Sequence, residues 1–153
     1  MNGFLFRNVI RIAAFTMIFL SSGNVFCGND TIPSAPQTAE EWFNTGYVLY
    51  RYGLFEESIE HFEEAIKLKP SFAEACYYLG AAYAEGKQDY EEAIIYYDKT
   101  IKLVPNSGYV HFVMGDAYRA LGKEKEAIKY YKEAAKLGNE LARQLLRDNN
   151  ISW

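Results

Sequence analysis

The sequence predicts an all-α fold: three helical hairpins in series, closed by a C-terminal capping helix. Three observations carry this. Apolar residues recur at helical spacing, so that Cys76, Leu79, Gly80 and Tyr83 share one face, and Ala93, Tyr97, Thr100 and Ile101 repeat the stripe on a second helix. Breakers separate the two stripes at Gly86 to Asp89, and Pro105 ends the second. The unit then recurs on either side. A hairpin that cannot bury its apolar face alone needs copies of itself as neighbours.

The first copy places Trp42, Thr45, Gly46 and Leu49 on one helix and Ser58, Phe62, Ala65 and Pro70 on the next. The third places His111, Met114, Gly115 and Tyr118, then Ala127, Tyr131 and Ala134. Gly46 to Gly80 is 34 residues, Gly80 to Gly115 is 35, Phe62 to Tyr97 is 35 and Tyr97 to Tyr131 is 34.

The elements follow in order. Residues 1–27 read as a secretory signal peptide: Arg7 and Arg11 without an acid, an apolar Ile12 to Leu20, then a small polar exit at Ser21 to Asn24. The apolar run is too short to span a bilayer, which needs about 18 residues or more. An uncleaved N-terminal anchor is the alternative. Cys27 invites lipidation, but Phe26 stands where a small residue usually precedes a lipidated cysteine. Residues 28–38 read as a flexible tether with two prolines. The folded part spans 39–149.

Thr38 to Glu41 has the form of a capping box. The first helix is expected over about Ala39 to Tyr52, ended by Gly53, and the second near Glu56 to Lys69, stopped by Pro70. Ser71 is expected to cap the next helix. Repeat two has a loop one residue longer, at Gly86 to Asp89, and Asn106 or Ser107 caps repeat three. Gly122 and Gly138 end the two helices of that repeat. Repeats therefore occupy 39–72, 73–107 and 108–141. A capping helix at 140–149 starts after Asn139, with Leu141, Leu145 and Leu146 inward and Arg143, Arg147 and Asp148 outward.

A glycine in every first helix, at 46, 80 and 115, costs about 1 kcal/mol relative to alanine. This predicts close packing against the partner helix, with Ala93 and Ala127 as the facing small surface. Ser58 and Thr100 depart from alanine in this pattern but are small enough to be tolerated.

A period near 34 with the pattern W-x2-L-G-x2-Y, A-x3-F and P resembles the tetratricopeptide repeat family over Ala39 to Leu141. The phrases Leu79-Gly80, Tyr83, Gly86, Asp89-Tyr90 and Tyr130-Tyr131, Ala134-Ala135, Gly138-Asn139 also resemble Sel-type helical repeats. The resemblance implies a right-handed α-α superhelix whose first helices line a concave groove. Carried over by repeat, the groove positions are Glu40, Phe43, Asn44, Tyr47, Tyr50 and Arg51; Glu74, Tyr77, Tyr78, Ala81, Ala84 and Glu85; and Tyr109, Phe112, Val113, Asp116 and Arg119. Among these, Phe43, Asn44, Tyr47, Tyr50, Arg51, Tyr77, Ala81, Tyr109, Phe112, Asp116 and Arg119 are the expected partner contacts. Phe43, Tyr47, Tyr77 and Phe112 are expected to form a row of rings, although Tyr78 and Val113 suit packing between helices equally well. The family's chaperone-tail clamp has Lys and Asn where this chain has Phe43 and Tyr47, so capture of a free carboxyl terminus is not implied.

Composition narrows the function. Sixteen Lys and Arg stand against 20 Asp and Glu, a net charge of −4, with no basic excess to suggest nucleic acid. Removing residues 1–27 takes away Arg7 and Arg11 and leaves 14 against 20, or −6. Two cysteines, Cys27 and Cys76, cannot build a disulfide framework. His61 and His111 lack metal-ligand spacing, and His111 replaces Trp42 and Cys76 on an inner face. The acids Glu56, Glu57, Glu60, Glu63 and Glu64 read as a solvated face. No nucleophile elbow or phosphate loop is present, so no catalytic residue, metal or cofactor is predicted. The expectation is an exported, periplasmic or extracellular module that binds a protein or peptide, touching membrane only through an uncleaved or lipidated N-terminus and taking no small-molecule substrate. The alternative is an assembly subunit of an envelope complex, docking by its convex or end surfaces.

Overall fold

The computed structural model describes Pro36 and residues 38–153. The expected signal peptide and nearly all of the expected tether lie outside the described residues. Seven α-helices follow one another: α1 (Ala39–Arg51), α2 (Phe55–Leu68), α3 (Ala73–Ala82), α4 (Tyr90–Leu103), α5 (Gly108–Ala120), α6 (Glu124–Lys136) and α7 (Glu140–Asp148). A π-helical turn, Tyr83–Lys87, extends α3. Among the described residues there is no strand. Each helix packs on the next in the chain, which is the contact pattern of stacked hairpins.

Local chemistry sets most helix ends. Thr38 and Glu41 form the capping box, with Glu41 N–H donating to Thr38 Oγ1 at 3.1 Å and Thr38 N–H to Glu41 Oε2 at 3.2 Å. Asp89, Ser107 and Asn139 cap α4, α5 and α7 through their side chains. Ser71 does not cap α3: the residue before that helix is Phe72, whose side chain has no oxygen to offer. Gly53, Gly122 and Gly138 end α1, α5 and α6 with φ of +73°, +70° and +89°, the left-handed conformation that closes a helix. Leu54 N–H then reaches Leu49 O at 3.0 Å, satisfying a terminal carbonyl.

The second repeat ends its first helix differently. Instead of a loop from Gly86, the chain stays helical through Lys87 as one π turn, which Asp89 N–H closes on Tyr83 O at 3.0 Å. Widening the turn absorbs the one extra residue of this repeat.

The core is the predicted inner stripe. Phe62, Ala65, Cys76, Leu79, Ala93, Tyr97, Met114, Ala127, Tyr131 and Ala134 are all buried, in three clusters that each join the second helix of a repeat to the helix after it. Ser58 and Thr100 are buried too, and their hydroxyls donate to Phe55 O and Tyr96 O, each at 2.8 Å. The glycines sit under rings. A Cβ on Gly46, Gly80 or Gly115 would lie 2.9, 2.8 or 2.6 Å from a ring carbon of Phe62, Tyr97 or Tyr131. The facing surface is therefore an aromatic ring from the second helix, together with the Ala93 or Ala127 carbonyl at 3.1 and 3.2 Å.

The capping helix is turned relative to expectation. Ala142 and Leu146 are fully buried, while Leu141 is 62 % exposed. Arg143 is half-buried, and its Nε donates to Ala135 O at 3.0 Å near the end of α6. A residue four along the helix from Ala142 points the same way, whereas Leu141 is displaced by a full 100° step.

Candidate functional site

The first helices α1, α3 and α5 carry the groove positions. Aromatic side chains join them. Tyr47 and Tyr78 meet edge to face at 4.9 Å between α1 and α3, and Tyr77 and Tyr109 lie 5.8 Å apart between α3 and α5. The Tyr77 hydroxyl donates to the Tyr109 hydroxyl at 3.3 Å.

The rings do not stand in a free row. Phe43 is half-buried against Phe62, Phe72 and Tyr78, at 5.8, 4.9 and 5.8 Å. Tyr77 stacks on Tyr97 at 6.0 Å, and Phe112 packs on Tyr131 at 5.6 Å. The cause is the close approach of neighbouring helices, about 8–10 Å between axes, which leaves ring-sized side chains no room except against each other. Ala81 is 1 % exposed on a helix packed between α2 and α4, so it cannot touch a partner. The residues with open surface are Asn44, Arg51, Tyr109 and Arg119, with Tyr47, Tyr50 and Asp116 partly covered.

Electrostatics follow the same division. Arg51 donates to the Tyr47 hydroxyl at 3.3 Å and holds that phenol below its ordinary value. Burial, then the Tyr109 hydroxyl, pushes the Tyr77 phenol well above its own. Burial and the nearby Glu85 carboxylate do the same to Tyr50. Arg119 pairs with Asp116 at 2.8 Å, and the Tyr131 hydroxyl donates to the same carboxylate oxygen at 2.7 Å.

Cys76 is fully buried, and burial pushes its thiol up, which suits a packing role. His111 is buried with Nδ1 at 3.0 Å from Ser107 O, a contact its own helix supplies. His61 makes the same local contact with Glu57 O at 2.8 Å.

A feature that the repeat pattern did not disclose is a pocket of about 540 Å³ between the π turn, α4 and α5. Glu85, Tyr97, Val113, Asp116 and Arg119 line it, with alanines filling the gaps between them. The extra residue in repeat two was the available signal, because the turn that absorbs it carries Glu85 to the pocket edge.

Three family models match in succession: a TPR repeat over residues 46–85, a tetratricopeptide repeat over 74–107 and another over 108–141. The chain is a tetratricopeptide repeat protein. Tetratricopeptide arrays are typically non-catalytic, and this one is a protein–protein interaction module. Among solved structures it is similar to a crystal structure of MamA, with 29% identity and a TM-score of 0.64 over 69% of this chain and 61% of that one. A second MamA crystal structure has 29% identity and a TM-score of 0.63 over 69% and 57%. MamA MSR-1, at 22% identity and a TM-score of 0.64, shares the fold. The tetratricopeptide part thus spans less than two thirds of these MamA chains. No curated protein matches the chain.

Proposed function

We propose that this tetratricopeptide protein is an exported, non-catalytic module of the cell envelope that holds a peptide or partner protein against its first helices. The observation that carries the reading is the open surface on α1 and α5: Tyr109 is 52 % exposed and Arg119 is exposed on α5, and Asn44 and Arg51 are exposed on α1. Exposed aromatic and arginine side chains are the residue types that anchor protein contacts, because they carry much area for little rotamer entropy. The partly covered Tyr47, Tyr50 and Asp116 flank them, and Phe43, Tyr77 and Phe112 support the surface from beneath. Export rests on the basic and apolar pattern of residues 1–27. A native mature chain beginning at Asn24 or Gly28 is the expected intact mass; one matching residues 1–153, or one carrying lipid on Cys27, rejects a cleaved, unlipidated signal peptide and leaves the N-terminal anchor.

The groove is tested by replacing Arg51, Tyr109 and Arg119 with Ala together, since none of them is buried. Wild-type melting with loss of co-purified partners is the expected result. Wild-type melting with the same partners recovered rejects the groove. The second reading, docking by the ends, would then take its place. Its support is charge: residues 39–72 hold 3 basic and 7 acidic side chains, against 8 and 6 in residues 108–153.

A further inference from the structure

The three repeats place a ring from the second helix over the glycine of the first: Phe62 on Gly46, Tyr97 on Gly80 and Tyr131 on Gly115. In repeat three that ring is fully served. Asp116, one residue after the glycine, accepts from the Tyr131 hydroxyl at 2.7 Å. Arg119, four after the glycine, pairs with Asp116 and lies 5.7 Å above the Tyr131 ring.

Repeat two has alanine at both positions, Ala81 and Ala84. Tyr97 is 4 % exposed as a residue, and its hydroxyl makes no hydrogen bond among the described residues; since no buried side-chain polar atom is left without a partner there, that hydroxyl is open to solvent and not sealed in the core. A hydroxyl open at a pocket wall keeps a donor and an acceptor for a group that enters the pocket. Tyr97 lines the 540 Å³ pocket, and so does Ala84, whose small side chain leaves the space that Arg119 fills one repeat later. Charge agrees. Glu85, at the pocket edge, interacts with the Tyr50 phenol but has no cation beside it among the described residues, whereas Asp116 across the pocket has Arg119. The carboxylates of Glu85 and Asp116 both act on the Tyr97 phenol and, after burial itself, push it up.

We propose that this pocket receives an arginine side chain of a bound peptide, its guanidinium over the Tyr97 ring and paired with Glu85, as Arg119 lies over Tyr131 and pairs with Asp116. A planar guanidinium suits the place because it stacks on an aromatic face while forking onto a carboxylate, which an ammonium cannot do. The Tyr97 hydroxyl accepts one further N–H. This rests on the peptide-binding reading above and names the chemistry of one position in that peptide.

The test uses the full chain and a phage-displayed library of random dodecapeptides. Enriched peptides are synthesised and titrated by fluorescence anisotropy against wild type, Glu85→Gln, Tyr97→Phe and Ala84→Arg, with melting curves for each. An arginine recurring in the enriched peptides is expected. Changing it to Ala, or Glu85 to Gln, weakens binding at least about tenfold, and Tyr97→Phe about fivefold. The two changes combined cost little more than either alone, as partners in one contact do. Ala84→Arg fills the pocket from within and abolishes binding of arginine peptides while the melting temperature holds. Enriched peptides without arginine, with lysine serving equally well, or with affinity unchanged in Glu85→Gln overturn the pocket. If those peptides still weaken when Arg51, Tyr109 and Arg119 are replaced, the groove reading survives alone. No peptide above background removes both.

Discussion

A ring pressed onto the backbone of a neighbouring helix leaves room for hydrogen and nothing larger. At Gly80 an added Cβ would sit 2.8 Å from Tyr97 Cε1 and 3.1 Å from the Ala93 carbonyl. The ring is buried and the carbonyl belongs to α4, so neither can move without opening the hairpin. Gly80→Leu is therefore expected to cost about 3 kcal/mol or more, at the upper end of overpacking, since the clash involves backbone as well as side chain. Urea unfolding at 25 °C measures it, and an unchanged midpoint would show that the two helices are free to separate. The glycine spacing pointed to a tight crossing. That an aromatic ring fills it was written in Phe62, Tyr97 and Tyr131 sharing the same 34- to 35-residue period.

At the scale of an element, α7 closes the last hairpin with two residues. Ala142 and Leu146 are fully buried against Ala127, Tyr131, Ala134 and Ala135, while Leu141 faces away. Leu146→Ala should destabilise by about 2–5 kcal/mol through lost burial and the cavity left behind. Leu141→Ser should change stability by less than about 0.5 kcal/mol, because its side chain already meets solvent. Thermal melts of the two variants side by side decide whether the helix is oriented as described: equal losses would contradict it. The π turn is the other element with a specific constraint. A Cβ at Gly86 would approach Phe55 Cβ to 2.3 Å, so the turn rests on the start of α2 and is held in place by it. That contact fixes where Glu85 stands relative to the pocket.

Across the whole molecule, Tyr50, Tyr77, Tyr83, Tyr97 and Tyr131 make stability sensitive to alkali. Burial and the Glu63 carboxylate push the Tyr83 phenol up to about 12 from an ordinary value near 10. Burial, the first cause in each case, pushes Tyr50, Tyr77, Tyr97 and Tyr131 up further still. A phenol with a raised folded value holds its proton more tightly folded than unfolded. Its contribution is complete below about pH 10 and declines as pH rises through the folded value, so stability falls from about pH 10 upward. Phenolate absorbance at 295 nm and helical circular dichroism, followed together from pH 8 to 12.5, should show late phenolate release coinciding with loss of helix. Release of all tyrosines near pH 10 with helix intact would contradict the packing.

The sequence by itself determined the repeats, the seven helices and the caps at Thr38, Ser107 and Asn139, but not the cap at Asp89 or the start of α3. These depend on spacing within one hairpin and on residues next to each helix end, and both are local: Thr38 with Glu41, Gly53, Gly122 and Gly138 act within a few residues of themselves. Tertiary structure alone decided which groove positions remain open. Phe43 and Ala81 fall on the same helical faces as Tyr47 and Asn44 by count, yet they are covered by side chains from other helices, which no spacing records. The inward turn of Ala142 instead of Leu141 depends on where α6 presents its surface. The unpartnered Tyr97 hydroxyl and the pocket beside it arise from three elements at once: the alanines of one repeat, the π turn that follows them and the acidic face of the next. Each is visible in the sequence separately, and only their meeting in space makes the pocket.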